Sequence, residues 1–212
     1  MTARHRSICG GRTRRRLAWS STLLLALVGC GGGGNNPLDN PANVDNPLEV
    51  SGQKLSFVYF QRCINPIFLA QLKINRNGAV STNTCAGGGC HDNTTGTGGA
   101  LRVVGSAEAV DLADPANTQE VIRASDMYKN FYSAQGSTII GSPTQSRLLA
   151  KPLLMNVLHG GGLVFESEQD PNARLIAYWI THPVPEGGDE FSASADGLFT
   201  PPDAATGTCN VE

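Results

Sequence analysis

Residues 85–91 read Cys-Ala-Gly-Gly-Gly-Cys-His, and the rest of the chain is interpreted outward from this stretch. Four residues separate the thiols of Cys85 and Cys90, and the imidazole of His91 follows the second thiol directly. The three glycines allow the longer spacer to bulge without Cβ clashes. Three chemistries suit this order of side chains. They are covalent haem attachment through a variant of the C-x-x-C-H motif, a small disulfide loop, and a zinc site completed by a distant histidine.

At this motif the chain resembles the c-type cytochrome domains of Gram-negative bacteria, in the subgroup whose motif is C-x4-C-H. Two other segments share the resemblance, Ile-Asn-Pro-Ile at residues 64–67 and Gly-Gly-Ala-Leu-Arg-Val at residues 98–103. The resemblance covers about residues 55–182. It implies one haem c bound through Cys85 and Cys90, with His91 as the proximal iron ligand. It also implies a non-enzymatic electron carrier that serves an unknown redox partner protein.

The sixth iron ligand has several candidates downstream of the motif. The family places this ligand in the segment before the last helix, where Met155 and His159 lie. His159 stands in the sequence Leu-His-Gly-Gly-Gly, whose glycines allow backbone and haem to approach closely. We therefore expect His159 to be the distal ligand, with Met155 as the alternative, and an exposed loop histidine as the competing interpretation. Met127 on a helix stripe and His182 at a helix end are weaker candidates.

The first 50 residues are expected to export and anchor the protein. Residues 1–29 have a basic start and a short apolar stretch, the pattern of a signal peptide. They end in Leu-Val-Gly followed by Cys30, which resembles the lipobox of bacterial lipoproteins and implies lipidation of Cys30. Residues 30–50 are rich in Gly, Asn and Pro and are predicted to be a flexible tether. We expect a location in the cell envelope, lipid-anchored at the outer membrane and facing the periplasm.

The net charge of the exported chain argues against one class of partner. Six of the 16 basic residues lie in the signal segment, which leaves ten against 18 acidic residues, a net charge of −8. An acidic exported chain is a poor candidate for nucleic-acid binding.

If haem takes Cys85 and Cys90, then Cys63 and Cys209 remain as a disulfide pair in an oxidising compartment. Two disulfides without haem are also possible, and a disulfide-stapled binding or scaffolding lipoprotein is the alternative function.

The sequence predicts one mainly α, loop-rich, cytochrome c-like helical domain over residues 51–190, followed by an irregular tail over residues 191–212. Apolar residues at intervals of three and four predict a helix over residues 55–72, kinked or divided at Pro66. Asp-Pro at 114–115 and at 170–171 predict two further helix starts. A short helix is expected over residues 143–149, and a loop over residues 156–164. The motifs of serine hydrolases, zinc proteases and nucleotide-binding loops are absent from the sequence.

Overall fold

A computed structural model describes residues 54–192 and 197–212. The signal segment, Cys30 and the tether were assigned from sequence alone and lie outside these ranges. Within the described ranges, no helix combines the length and the apolar character that a membrane span requires.

The first helical segment passes through Pro66 without ending there. It comprises α1 (Phe57–Tyr59), a π-helical stretch (Phe60–Ile64) and α2 (Asn65–Leu69). Ser56 caps its start by accepting a hydrogen bond from the Tyr59 amide. Proline has no amide hydrogen to donate to the preceding turn. The π-helical stretch lies immediately before Pro66, so the change in helical hydrogen bonding falls next to the residue that lacks an amide hydrogen.

A β-hairpin, which the sequence reading did not anticipate, delivers the chain to the cysteine motif. Strands β1 (Leu72–Arg76) and β2 (Ala79–Asn83) pair antiparallel, with Leu72 opposite Asn83. They are joined by Asn77 and Gly78, both at positive φ (54° and 89°), as a type I′ turn requires. The motif begins two residues after β2 ends, so the hairpin fixes where Cys85 enters the site.

The second half of the chain carries short, individually capped helices. These are α3 (Gln119–Ala124), α4 (Asp126–Gln135), a 3₁₀ turn (Pro143–Gln145), α5 (Arg147–Ala150) and α6 (Pro171–Thr181). The predicted start of the last helix is confirmed, since Asp170 accepts hydrogen bonds from the Asn172 and Ala173 amides. The predicted start at Asp114 is wrong. Its carboxylate instead accepts from the Ala116 amide within a turn, and the helix begins after Thr118.

The C-terminal segment is tied to the first helical segment. Two-residue strands β3 (Phe199–Thr200) and β4 (Thr208–Cys209) pair antiparallel. Cys209 then forms a disulfide bond with Cys63, which lies in the π-helical stretch. The bond joins residues 146 positions apart in the chain.

The core is a cluster of aromatic rings where α6 packs against the first helical segment and α4. Trp179 is fully buried, and its ring centroid lies 5.4 Å from Phe60 and 6.1 Å from Phe131. Its indole N–H donates to the carbonyl of Ser56 (2.9 Å), so the last helix is fixed to the cap of the first. Phe57 packs edge-on against Phe131 at 5.4 Å.

The expected mainly α, cytochrome c-like helical fold is wrong. The described residues are only 30% helical and 12% strand, with short helices and two small sheets. The physical reason lies in the segments between helices. Gly-, Thr- and Pro-rich stretches satisfy their backbone groups in turns and isolated bridges rather than in helical hydrogen bonds, as at Asp92–Val103 and Asn75–Leu163.

Candidate functional site

The cysteine motif and the His159 loop line the same cavity. Its volume is about 350 Å³, within the range of small-molecule sites, which is roughly 300–1,000 Å³. Cys85, Cys90, His91 and His159 all contribute to its wall. The rest of the wall is mostly apolar and includes Ile67, Phe68, Leu72, Leu101, Leu148 and Phe165. The structure thus brings together residues that are up to 74 positions apart in the sequence.

The ring of His91 is oriented by the backbone of the segment after the motif. Its Nδ1 lies 3.1 Å from the carbonyl oxygen of Leu101. A carbonyl only accepts, so Nδ1 carries the proton and Nε2 keeps its lone pair. The backbone of His91 is held on both sides, by its amide to the Cys85 carbonyl (2.9 Å) and by its carbonyl from the Val103 amide (2.7 Å). His91 is therefore prepared to bind a metal through Nε2.

His159 is oriented in the same way by its own loop. Its Nδ1 lies 2.7 Å from the carbonyl of Gly162, which again places the proton on Nδ1 and leaves Nε2 as a donor to a metal. The loop is fastened to β1, because Asn75 and Leu163 exchange two backbone hydrogen bonds of 2.8 and 2.9 Å. Arg76 adds a hydrogen bond from Nε to the carbonyl of Gly161 (3.0 Å). The hairpin therefore positions the His159 loop as well as the cysteine motif.

The two imidazoles form a matched pair. Their ring centroids are 6.2 Å apart and their planes are within 12° of parallel. Burial lowers the pKa of His91 to about 4, against an opposing contribution from the Leu101 hydrogen bond. Burial also lowers the pKa of His159, and the positive charge of Lys151 acts in the same direction on both rings. Both imidazoles are therefore neutral near pH 7, the form that ligates metals.

Cys85 and Cys90 are both free thiols in the structure and do not form the small disulfide loop. Burial, followed by the proximity of Cys90, raises the pKa of Cys85 to about 12, so this sulfur stays protonated. Asn83 lies beside the second thiol, with its amide nitrogen 3.5 Å from Sγ of Cys90. The Cys90 amide donates to the Gly87 carbonyl (3.0 Å), which closes the spacer into a tight turn.

The described part of the structure does not show a zinc site, and it places the other candidates for the sixth iron ligand away from His91. Within the described ranges no three His, Cys, Asp or Glu side chains come close enough to hold a metal. Met155 lines a neighbouring depression of about 370 Å³ rather than the cavity. Met127 is buried in the core, and the ring of His182 stacks on Tyr178 at 3.8 Å. Of the four candidates for the sixth ligand, only His159 reaches the cavity that contains His91.

Sequence reasoning noticed the segments that contain Gly98 and Gly161 but did not predict that these glycines leave the space that the two imidazole rings occupy. It missed Arg147 and Lys151, which bring positive charge to the cavity wall. The four-residue spacing of Arg147, which begins α5, and Lys151, which directly follows α5 in helical conformation, was the available signal, since residues four apart share a helix face.

Comparison of the chain with protein families, with curated proteins and with solved structures gives no match in any of the three.

Proposed function

We propose that this protein is a lipid-anchored, single-haem electron-transfer protein. In this proposal haem c is attached through Cys85 and Cys90, and its iron is held between His91 and His159. The observation that carries the proposal is the pair of neutral, near-parallel imidazoles beside two free thiols in one apolar cavity. The proposal does not require the helical architecture of cytochromes c.

The distance between the His91 and His159 rings fits the binding of one metal ion between them. With metal–nitrogen bonds of about 2 Å, two imidazoles on opposite sides of one ion have ring centroids about 6 Å apart. The centroids of His91 and His159 are 6.2 Å apart. Both Nδ1 atoms are engaged by backbone carbonyls, so Nε2 is the nitrogen available on each ring.

The thiols suit covalent attachment. Each S–H would add across a vinyl C=C of the porphyrin, so that a C–S bond would form and the hydrogen would go to the other vinyl carbon. This addition needs no oxidant, but it needs both sulfurs reduced and unpaired, as they are here. Because the Cys85 thiol is buried and its pKa is raised, attachment is expected to precede complete folding of the site.

Haem supplies a one-electron carrier when it is bound. The chain then determines the environment of the iron. The neutral imidazoles of His91 and His159 would hold the iron through Nε2, and the carbonyls of Leu101 and Gly162, which accept hydrogen bonds from Nδ1, would increase the basicity of each ring. Apolar side chains such as Phe68 and Phe165 keep water away from the ring.

The proposed location follows from the first 50 residues of the sequence. Lipidation of Cys30 would attach the protein to the outer membrane on its periplasmic side, and residues 31–50 would let the domain reach a redox partner protein. The partner is unidentified, and the negative net charge of the exported chain argues against nucleic acid.

The test is the absorbance spectrum and haem staining of the full chain, produced in a host that matures c-type cytochromes. We expect a low-spin haem spectrum, and haem that stays with the denatured polypeptide after extraction with acidified organic solvent. The Cys85→Ser/Cys90→Ser variant should lose the covalent haem. Colourless parent protein would contradict the proposal and favour a disulfide-stapled binding or scaffolding lipoprotein.

A second experiment tests the ligand set. His159→Ala should keep the covalent haem but open one axial position, so that added cyanide binds. The control is His182→Ala, which removes a histidine that stacks on Tyr178 and does not line the cavity. If His159→Ala keeps the parent spectrum and resists cyanide, the assignment of His159 is wrong, and Met155→Ala is the next variant.

A further inference from the structure

The two thiols of the cysteine motif lie in different surroundings. Cys85 packs against the hydrophobic core, whereas Cys90 lies outside the core cluster of the described residues. The group beside Cys90 is polar, since the side-chain nitrogen of Asn83 lies 3.5 Å from Sγ of Cys90. Asn83 and Cys90 both line the cavity. The two sulfurs therefore differ in the neighbours that hold them.

The orientation of the Asn83 side chain is fixed by the backbone next to it. Its Oδ1 accepts a hydrogen bond from the amide of Thr84 (2.8 Å). A backbone N–H only donates, so the oxygen of the side chain lies toward Thr84 and the nitrogen toward Cys90. Asn83 thus presents an N–H donor to the sulfur, which is a weak acceptor.

Gly87, in the spacer between the two cysteines, makes room for this side chain. A Cβ atom at residue 87 would lie 2.3 Å from Oδ1 of Asn83 and 2.9 Å from its Cγ. Gly87 is not one of the glycines at positive φ, so its backbone conformation does not require glycine. The space that Asn83 occupies is the reason for glycine at this position. All three residues lie within positions 83–90, so their arrangement does not depend on the distant His159 loop.

The contact with Asn83 favours one orientation of the Cys90 sulfur. A cysteine side chain has a single χ angle with three staggered positions. The N–H of Asn83 favours the position seen in the structure, in which Cys90 lines the cavity. Holding a reacting atom in a productive orientation raises the rate of bond formation, because less orientational freedom is lost in the reaction.

We propose that Asn83 is a positioning residue for covalent attachment, and that it makes Cys90 the first of the two thiols to add to an alkene. This inference rests on the proposed function and extends it. In each addition the S–H bond and the π bond of the alkene would break, and one C–S and one C–H bond would form, without an oxidant. Asn83 acts through the sulfur of Cys90 and does not bind the iron.

The test uses N-ethylmaleimide, a small alkene to which thiols add, on the full chain produced without haem. Mass analysis of labelled peptides after short reaction times gives one rate for Cys90 and one for Cys85. We expect Cys90 of the parent to react faster than Cys85. In Asn83→Leu the Cys90 rate should fall about two- to threefold, since its sulfur is then free to occupy the other staggered positions. The Cys85 rate should not fall.

The two rates separate positioning from loss of structure. General loosening of the site would raise the Cys85 rate, because this thiol is packed against the core. Asn93→Leu makes the same substitution at an exposed residue just after the motif and should keep both rates. If Asn83→Leu does not fold, Asn83→Asp replaces it. Aspartate keeps an oxygen for the Thr84 amide but lacks the N–H donor, so it should also lower the ratio of the Cys90 rate to the Cys85 rate.

A second arm measures attachment itself in a host that matures c-type cytochromes. Cys85→Ser and Cys90→Ser each leave one thiol of the motif, and covalent haem per chain is measured by staining of the denatured protein. We expect more haem on Cys85→Ser than on Cys90→Ser, and the addition of Asn83→Leu should remove this difference.

The outcomes distinguish this inference from the proposed function. Equal labelling of the two thiols in the parent, or an unchanged ratio of rates in Asn83→Leu, would overturn the role of Asn83 and leave the haem site standing. Colourless parent protein from the maturing host would overturn the proposed function and with it the attachment step. The labelling ratio would still show whether Asn83 orients Cys90.

Discussion

A Cβ atom added to Gly98 would lie 2.5 Å from Nδ1 of His91 and 2.6 Å from its Cε1. The imidazole thus packs directly on the backbone at residue 98. The Gly98 amide also donates to the carbonyl of Cys90 (2.7 Å), so this contact lies inside the cysteine motif's own hydrogen-bond network. Residue 98 is therefore glycine because a side chain there would overlap the imidazole ring of His91.

Gly98→Ala should therefore displace His91. We expect a loss of stability of about 1–3 kcal/mol from overpacking, and in haem-loaded protein a partial shift to a high-spin spectrum. The measurements are urea unfolding and absorbance. Gly88→Ala is the matched control within the motif, because its Cβ would meet only Thr95 Oγ1, at 3.6 Å. Equal behaviour of the two variants would show that Gly98 does not position His91.

Gly161→Ala should act on the distal ring in the same way. A Cβ there would lie 2.7 Å from Cε1 of His159 and 3.0 Å from its Nε2. We expect faster binding of cyanide to the haem-loaded variant, because the displaced ring holds the axial position less firmly. Gly160→Ala is the control, since its Cβ would have no neighbour within 4 Å. Equal cyanide-binding rates in the two variants would contradict the placement of His159.

Reduction of the Cys63–Cys209 disulfide should lower the free energy of unfolding substantially. The bond closes a loop of 146 residues, for which loop entropy alone gives about 4–5 kcal/mol. The measurement is urea unfolding of the parent and of Cys63→Ala/Cys209→Ala, with peptide mapping under non-reducing conditions to identify the bond. Free thiols at both positions in exported protein would exclude the disulfide, and an unchanged unfolding midpoint would show that it adds no stability.

Glu190 should make stability depend on acid pH. Burial opposes ionisation of this carboxylate, but hydrogen bonds from Arg123, Lys54 and Tyr128 outweigh burial and lower its pKa to about 2. The unfolded chain binds this proton near pH 4.5 and the folded chain only near pH 2. The stabilisation is therefore complete above about pH 4.5 and is lost as the pH falls toward about 2.

We expect Glu190→Gln to lose on the order of 2–3 kcal/mol at neutral pH. Between pH 4.5 and 2 it should show a flatter decline in stability than the parent. Thermal unfolding across this range measures both effects. Glu186→Gln, at an exposed position, should follow the parent curve. Parallel pH curves for Glu190→Gln and the parent would show that Glu190 does not contribute to acid sensitivity.

Local signals in the sequence predicted some elements well. Asp170 before Pro171 gave the start of the last helix, because capping depends on neighbouring residues alone. The same pair at Asp114 and Pro115 failed, since a turn satisfies the same side-chain chemistry and no apolar face followed at once to favour a helix. Capping residues indicate where a helix is able to start, and packing decides whether it does.

The hairpin was missed although its turn signal was present. Asn77-Gly78 is a strong type I′ sequence, but Ile74 is the only buried residue of the two strands. Too little alternation remained for a strand pattern to be recognised. The hairpin depends instead on its bonds to Leu163, a contact between distant segments that spacing does not encode.

Some residues of the candidate site were predictable from local sequence, and others were not. Cys85, Cys90 and His91 are adjacent in sequence, so their motif was readable, and the glycine loop drew attention to His159. Gly98, Gly161, Arg147 and Lys151 matter only through neighbours brought close by folding. A glycine that makes room for a ring looks the same in sequence as one in any loop.

The disulfide also changes how the protein responds to mechanical load. A pull applied between residues 54 and 212 runs along the chain to Cys63, crosses the covalent bond, and leaves through the three residues after Cys209. Residues 64–208, which include every residue of the candidate site, are outside that path. Tension between the two ends can extend only residues 54–62 and 210–212, so it does not stretch the backbone between residues 64 and 208. Reducing the bond would bring the whole site into the path of the force.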